Sequence, residues 1–136
     1  MSKSNTTEND VLKKVLQNVD LAWDANTSLY VALHTADPGE AGVQTTSECA
    51  YGSYARQAVT RDSDGWDVVG NQGANDDLIQ FPQCSSGSES ATHVSIGTTL
   101  ASGGQILYSG ALASPLAISA GIQPQFAVGA LTITED

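Results

Sequence analysis

Basic residues are scarce in this chain. Five Lys and Arg stand against 15 Asp and Glu over 136 residues, for a formal charge of −10. The five are Lys3, Lys13, Lys14, Arg56 and Arg61, and between Asp62 and Asp136 there are eight acids and no Lys or Arg. Proteins that grip nucleic acid draw most of their affinity from cations set against phosphates, so a nucleic-acid partner is not expected. An anionic membrane surface would be repelled in the same way. No apolar run reaches the roughly 18 residues of a spanning helix. Met1 to Asp10 holds one Lys and no apolar stretch of signal-peptide type.

Cysteine is nearly absent too. Cys49 and Cys84 are too few for a disulfide scaffold and are read as free thiols, although spacing alone leaves a pair open. With His34 and His93 they are the strongest metal donors, and each stands alone in its stretch, so neither a metal nor any other cofactor is expected.

The length suits one domain, and 40% apolar content is enough to build its core. Only the first segment has a helical period. Val11, Leu12, Val15, Leu16 and Val19 fall on one face of a helix over Asn9 to Val19, and Lys13, Lys14, Gln17 and Asn18 on the other. Thr7 or Asn9 is the expected cap. A helix this short needs its apolar stripe buried to be stable. Met1 to Thr6 is polar and reads as loose, and residues 1–24 together read as an N-terminal arm.

From Ser28 the period shortens to two. Ser28 to Thr35 alternates as a strand and stops at Asp37-Pro38-Gly39, where proline fixes φ and glycine is free to turn. Further strands are expected at Tyr51 to Thr60, Trp66 to Val69, Leu78 to Pro82, Thr92 to Gly97, Ile106 to Tyr108, Leu116 to Ser119 and Phe126 to Thr134. The stretches 40–50, 70–76 and 84–90 read as loops. About eight short strands with turn chemistry between them predict a mainly β fold over 25–136, an antiparallel β-sandwich or jelly-roll-like barrel, behind one N-terminal α-helix.

Catalytic signatures are missing. Asp62-Ser63-Asp64-Gly65 begins like a calcium loop but places Gly too early and has no closing Glu, so a hairpin turn is the better reading. No G-x-S-x-G elbow accompanies either histidine, and the glycine-rich stretches lack a phosphate-binding pattern. A strand histidine bonded to a neighbouring loop is the expected role of His34 and of His93. The sequence reads as that of a non-enzyme.

Two stretches carry more than composition. One is Leu33 to Glu40 with Thr46-Ser47-Glu48 and Tyr51 to Val59. The other is Ala91 to Gly97 with Ile106 to Leu112 and Gly121 to Thr134. Over residues 29–134 the chain resembles a family of small virion proteins of tailed bacteriophages, tail-fibre-like, with members similar to capsid decoration or cement proteins. The resemblance implies a structural protein of the virion. The favoured place is the outside of the head, with the major capsid protein as partner and a homo-oligomer, a trimer by analogy, as the working form. The alternative is a tail-fibre or baseplate component that contacts host-surface glycans through the loops at 40–50, 70–76 and 84–90. Within the domain, Arg56 is expected to pair with Glu48 or Asp37 and so fix the loop after the first strand. Lys13 and Lys14 mark the helix as the face for an acidic partner.

Overall fold

The computed structural model describes residues 1–136. Ten strands and one helix run in the order β1 (Ser2–Lys3), α1 (Asn5–Gln17), β2 (Ser28–His34), β3 (Gln57–Thr60), β4 (Trp66–Val69), β5 (Gln72–Asn75), β6 (Ile79–Gln80), β7 (Ser88–Gly97), β8 (Ile106–Ser119), β9 (Gln125–Phe126) and β10 (Thr132–Thr134). The main sheet has the order β1-β8-β7-β2-β3. A three-stranded sheet, β10-β5-β4, and a two-stranded piece, β6-β9, lie apart from it. Every pairing is antiparallel and no sheet closes on itself, so the architecture is a sandwich and not a barrel.

The two faces of the main sheet bury different chemistry. Val31 and Leu33 of β2 stand opposite Ile96 and Val94 of β7, and these four join Ile79, Phe81, Ile118 and Leu131 in one apolar cluster. Each such side chain contributes about 1.5–3 kcal/mol by leaving water. The alternate residues, His34 and Ser95, are as deeply buried but polar. Over that face folds the long connection between β2 and β3, which brings Gln44, Glu48 and Arg56 with it.

Several expectations change here. Ser4, not Thr7 or Asn9, caps the helix: it is extended, its Oγ accepts from Thr7 N at 3.3 Å, and it donates to the Ile106 carbonyl at 2.6 Å. Met1 to Thr6 is not loose, because Ser2 and Lys3 form β1 against Ser109 and Tyr108. The stretch 70–76 is no loop. Gly70, at φ +62°, turns the chain between β4 and β5, which pair over four residues. Only Gln57–Thr60 of the strand expected from Tyr51 is regular. Conversely, Ser114-Pro115 does not divide two strands, since β8 runs through it. There the register against β7 slips, leaving Ala111 opposite His93 and Leu116 opposite Ala91, so the proline occupies a bulge where no ladder donor is required. The last expected strand is broken into β9 and β10 by a turn in which Gly129 has φ +75°.

Gly97 marks the tightest approach to the polar face. A β-carbon there would lie 2.1 Å from Gln44 Cδ. Gln44 has little room to yield, because its Nε2 donates to the Tyr30 carbonyl and its Oε1 receives Thr99 N. Gly97→Ala should therefore lower stability by about 1–3 kcal/mol, read from the urea midpoint.

Candidate functional site

Arg56 is 4% exposed and uses donors on all three of its nitrogens. Its Nε and Nη2 grip Glu48 Oε1 and Oε2 at 2.7 and 2.8 Å, a bidentate pair. Nη2 also donates to the Ser102 carbonyl at 2.6 Å, and Nη1 to the Thr99 carbonyl at 2.9 Å. One guanidinium thus ties the β2–β3 connection to the β7–β8 turn. Asp37 takes no part: it is exposed, and its Oδ1 accepts from Gly39 N at 2.8 Å to shape its own turn. Glu48 further accepts from the Tyr54 hydroxyl at 3.0 Å, and that oxygen in turn receives Leu33 N. Burial, then the nearby Glu48 charge, pushes the Tyr54 phenol far above its usual range.

His34 sits beside this pair. Its Nδ1 donates to the Thr46 carbonyl at 2.8 Å, which fixes the tautomer and leaves Nε2 to accept from Ser95 Oγ, also at 2.8 Å. Burial holds its pKa below 6.5, assisted by the Arg56 and His93 charges, against the opposing pull of Thr46 and Glu48. With a lowered native pKa, the native state binds fewer protons than the unfolded chain. Stability is therefore complete above about pH 6.5 and falls as pH drops through the native value. The urea midpoint should decline across that window in the wild type, and the decline should flatten in His34→Gln.

The network is closed on itself. His34 and Ser95 meet, but both are wholly buried, and every strong donor around them is already committed. Asp62 Oδ1 accepts from Asp64 N and Gly65 N, so that carboxylate builds a turn. No three His, Cys, Asp or Glu side chains are placed to hold a metal ion. Cys49 and Cys84 are free and buried, and burial raises the Cys49 thiol to about 12, far from a reactive thiolate. A cavity of about 600 Å³ between β8 and the β9–β10 segment is lined by residues such as Leu112, Leu116 and Phe126 and by no Asp, Glu, His, Lys, Arg or Cys.

The helix residues lie elsewhere. Thr7 is buried, and its hydroxyl donates to the Ile106 carbonyl at 2.8 Å, while Gln105 bonds both Thr7 and Asp10. α1 thus rests on its own domain through its polar side. The stripe points away: Val11, Leu12, Val15, Leu16 and Val19 are all exposed, Val15 by 73% and Leu16 by 76%. Lys14 pairs with Asp20 at 2.6 Å, and Lys13 has no ion-pair partner. Sequence reasoning missed Gln44 and Ser95, uncharged side chains with no spacing rule to expose them. It also missed the clasp in which Glu135 receives Lys3 Nζ at 2.5 Å and the Tyr108 hydroxyl. Burial alone would raise the Glu135 pKa, but these two hydrogen bonds together with the Lys3 charge outweigh it and hold the carboxyl low.

No helix here is long and apolar enough to cross a membrane. No curated protein matches the chain significantly. A family model described as Podophage GP4 fiber I protein gp80 does match, over residues 2–134. That span takes in the helix as well as the sandwich, and the chain belongs to this family of phage fibre-type virion proteins.

Proposed function

We propose that the chain is a non-enzymatic structural subunit of the phage tail-fibre apparatus, attached to its neighbours through the outward face of α1. The observation that carries this reading is a contrast: the buried charged and polar side chains around Arg56 and His34 are bonded to one another, whereas the most regular apolar stripe in the sequence is left uncovered. A side-chain set of that kind offers a partner surface and no reacting group. Family membership favours a fibre. Of the three loops that would form a glycan rim, 40–50 gives Gln44, Thr46 and Glu48 to the buried network and 70–76 contains β5, while 84–90 stays mostly exposed.

One feature favours a second reading, decoration of the head with the major capsid protein as partner. Residues 62–136 carry eight acids and no Lys or Arg, which suits a surface that must not adhere to released DNA. Copy number separates the two. Quantitative mass spectrometry of purified particles should find a few dozen copies or fewer, located on the tail by electron microscopy; hundreds of copies over the head would replace the tail reading by the decoration reading.

A further inference from the structure

We infer that a second copy of this chain docks on the open edge of β8, pairing its own β8 antiparallel across a two-fold axis so that the main sheets of the two copies run together. The contact is separate from α1 and goes beyond the reading above.

Backbone chemistry says what belongs on this edge. β8 is laddered to β7 on one side. On the other its neighbour is β1, which reaches it at Tyr108 and Ser109, and no backbone hydrogen bond from a turn or loop touches residues 111–118. Unpaired strand donors and acceptors are satisfied along their length by another extended chain, and by no helix. Packing is incomplete at the same place. The cavity of about 600 Å³ runs beneath residues 110–114 and Leu116 and reaches Leu33 and Val94 of the core. Leu112, Leu116 and Ile118 pack toward that core, whereas Ala111, Ala113, Ala117 and Ser119 are exposed. A strand added beside β8 extends both the ladder and the roof of the cavity.

Charge says whose strand it is. Between Glu89 and Glu135 there is no Asp, Glu, Lys or Arg, in a chain of net charge −10. Two copies of such a chain repel each other and approach closely only where neither bears charge, whereas a foreign partner could set bases against the acids. The other edges are guarded: β1 contains Lys3, β3 lies between Arg56 and Arg61, β4 contains Asp67 and β10 abuts Glu135, while β6 and β9 are two residues long. The β8 edge is also self-complementary. With the axis at Pro115, whose missing N–H then falls at the centre, Ala117 faces Ala113, Ser119 faces Ala111, and on the core side Ile118 faces Leu112. Small outward residues let the strands reach ladder distance, and a contact of one patch with itself closes at two copies.

Light scattering and hydrogen exchange on the full chain test this. Wild type should shift with rising concentration from 14.1 kDa to twice that mass, and the amides of residues 111–119 should gain protection as it does. Ala113→Asp with Ala117→Asp, which sets two like-charged pairs across the axis, should weaken the dimer roughly 10-fold while circular dichroism stays that of the folded chain. Ala113→Lys with Ala117→Asp, which sets two opposite pairs there, should return it to within about 3-fold of wild type. Leu16→Asp, on α1, should leave the dimer as strong as in wild type, so that failure of the α1 contact and failure of this one are read separately. The inference fails if wild type stays monomeric, in which case the edge takes a strand of another virion subunit. It also fails if the doubly acidic variant dimerises like wild type, if the oppositely charged variant is no stronger than the acidic one, or if Leu16→Asp abolishes the dimer.

Discussion

Arg56→Ala should destabilise the fold by about 3–5 kcal/mol, the loss typical of a buried ion pair stripped of one partner. Against a total stability of roughly 5–15 kcal/mol for a domain of this kind, that loss is between about a fifth and the whole. The size follows from what is stranded. Glu48 would lose its bidentate partner in a site where its side chain is 15% exposed, and the Thr99 and Ser102 carbonyls would lose their donor. Removing both charges is a different matter, because no lone ion remains. Arg56→Met combined with Glu48→Gln should cost less than the sum of the two single changes, and a double-mutant cycle from urea unfolding would read that difference as coupling. A single Arg56→Ala variant within about 1 kcal/mol of wild type would show that the pair does not hold the β2–β3 connection.

Phe81→Ala should be of similar size, about 3–5 kcal/mol, for an unrelated reason. Phe81 is wholly buried, with its ring stacked on Tyr54 at 6.2 Å between centroids and set edge-on to Phe126 at 6.3 Å. Truncation leaves a cavity that the surroundings cannot easily fill, since Phe81 N donates to the Pro124 carbonyl and pins the backbone in place. Tyr54 links this cavity to the polar layer, because its hydroxyl bridges Glu48 and Leu33 N. Phe81→Leu, which keeps most of the volume, should cost clearly less, and comparison of the two urea midpoints separates lost packing from lost aromatic contact.

The parts of this fold that were legible in the sequence are those that local chemistry decides. Alternation from Ser28 found β2, and the 3.6 period found α1, because both patterns state which side chains share a face. They do not state what covers that face, and so the stripe expected to be buried is open to solvent. Arg56 stood out as a lone cation among acids, which made Glu48 a natural partner; Asp37, equally acidic, was spent on its own turn. Ser114-Pro115 looked like a break because a proline is costly in a regular ladder, and only the tertiary register reveals a bulge that accepts it. Asn75 left no trace at all. Its side chain donates to the Asp77 and Ala127 carbonyls and accepts from Leu131 N, joining segments distant in sequence. A buried amide carries no charge or period that would mark it in advance.

The clasp between Lys3 and Glu135 spans 132 residues. During synthesis Ser2 and Lys3 leave the ribosome long before their strand partners, Ser109 and Tyr108, exist as chain, and longer still before Glu135 does. The outermost strand of the main sheet is therefore added late, after the nearer hairpins have formed, as the loop-closure cost of so distant a contact requires. α1 follows β1 directly, so its seat on Ile106 and Gln105 also has to wait for those residues. Its uncovered stripe therefore belongs to a segment made long before the residues that seat it, so the helix is held against the domain only once Gln105 and Ile106 have been synthesised.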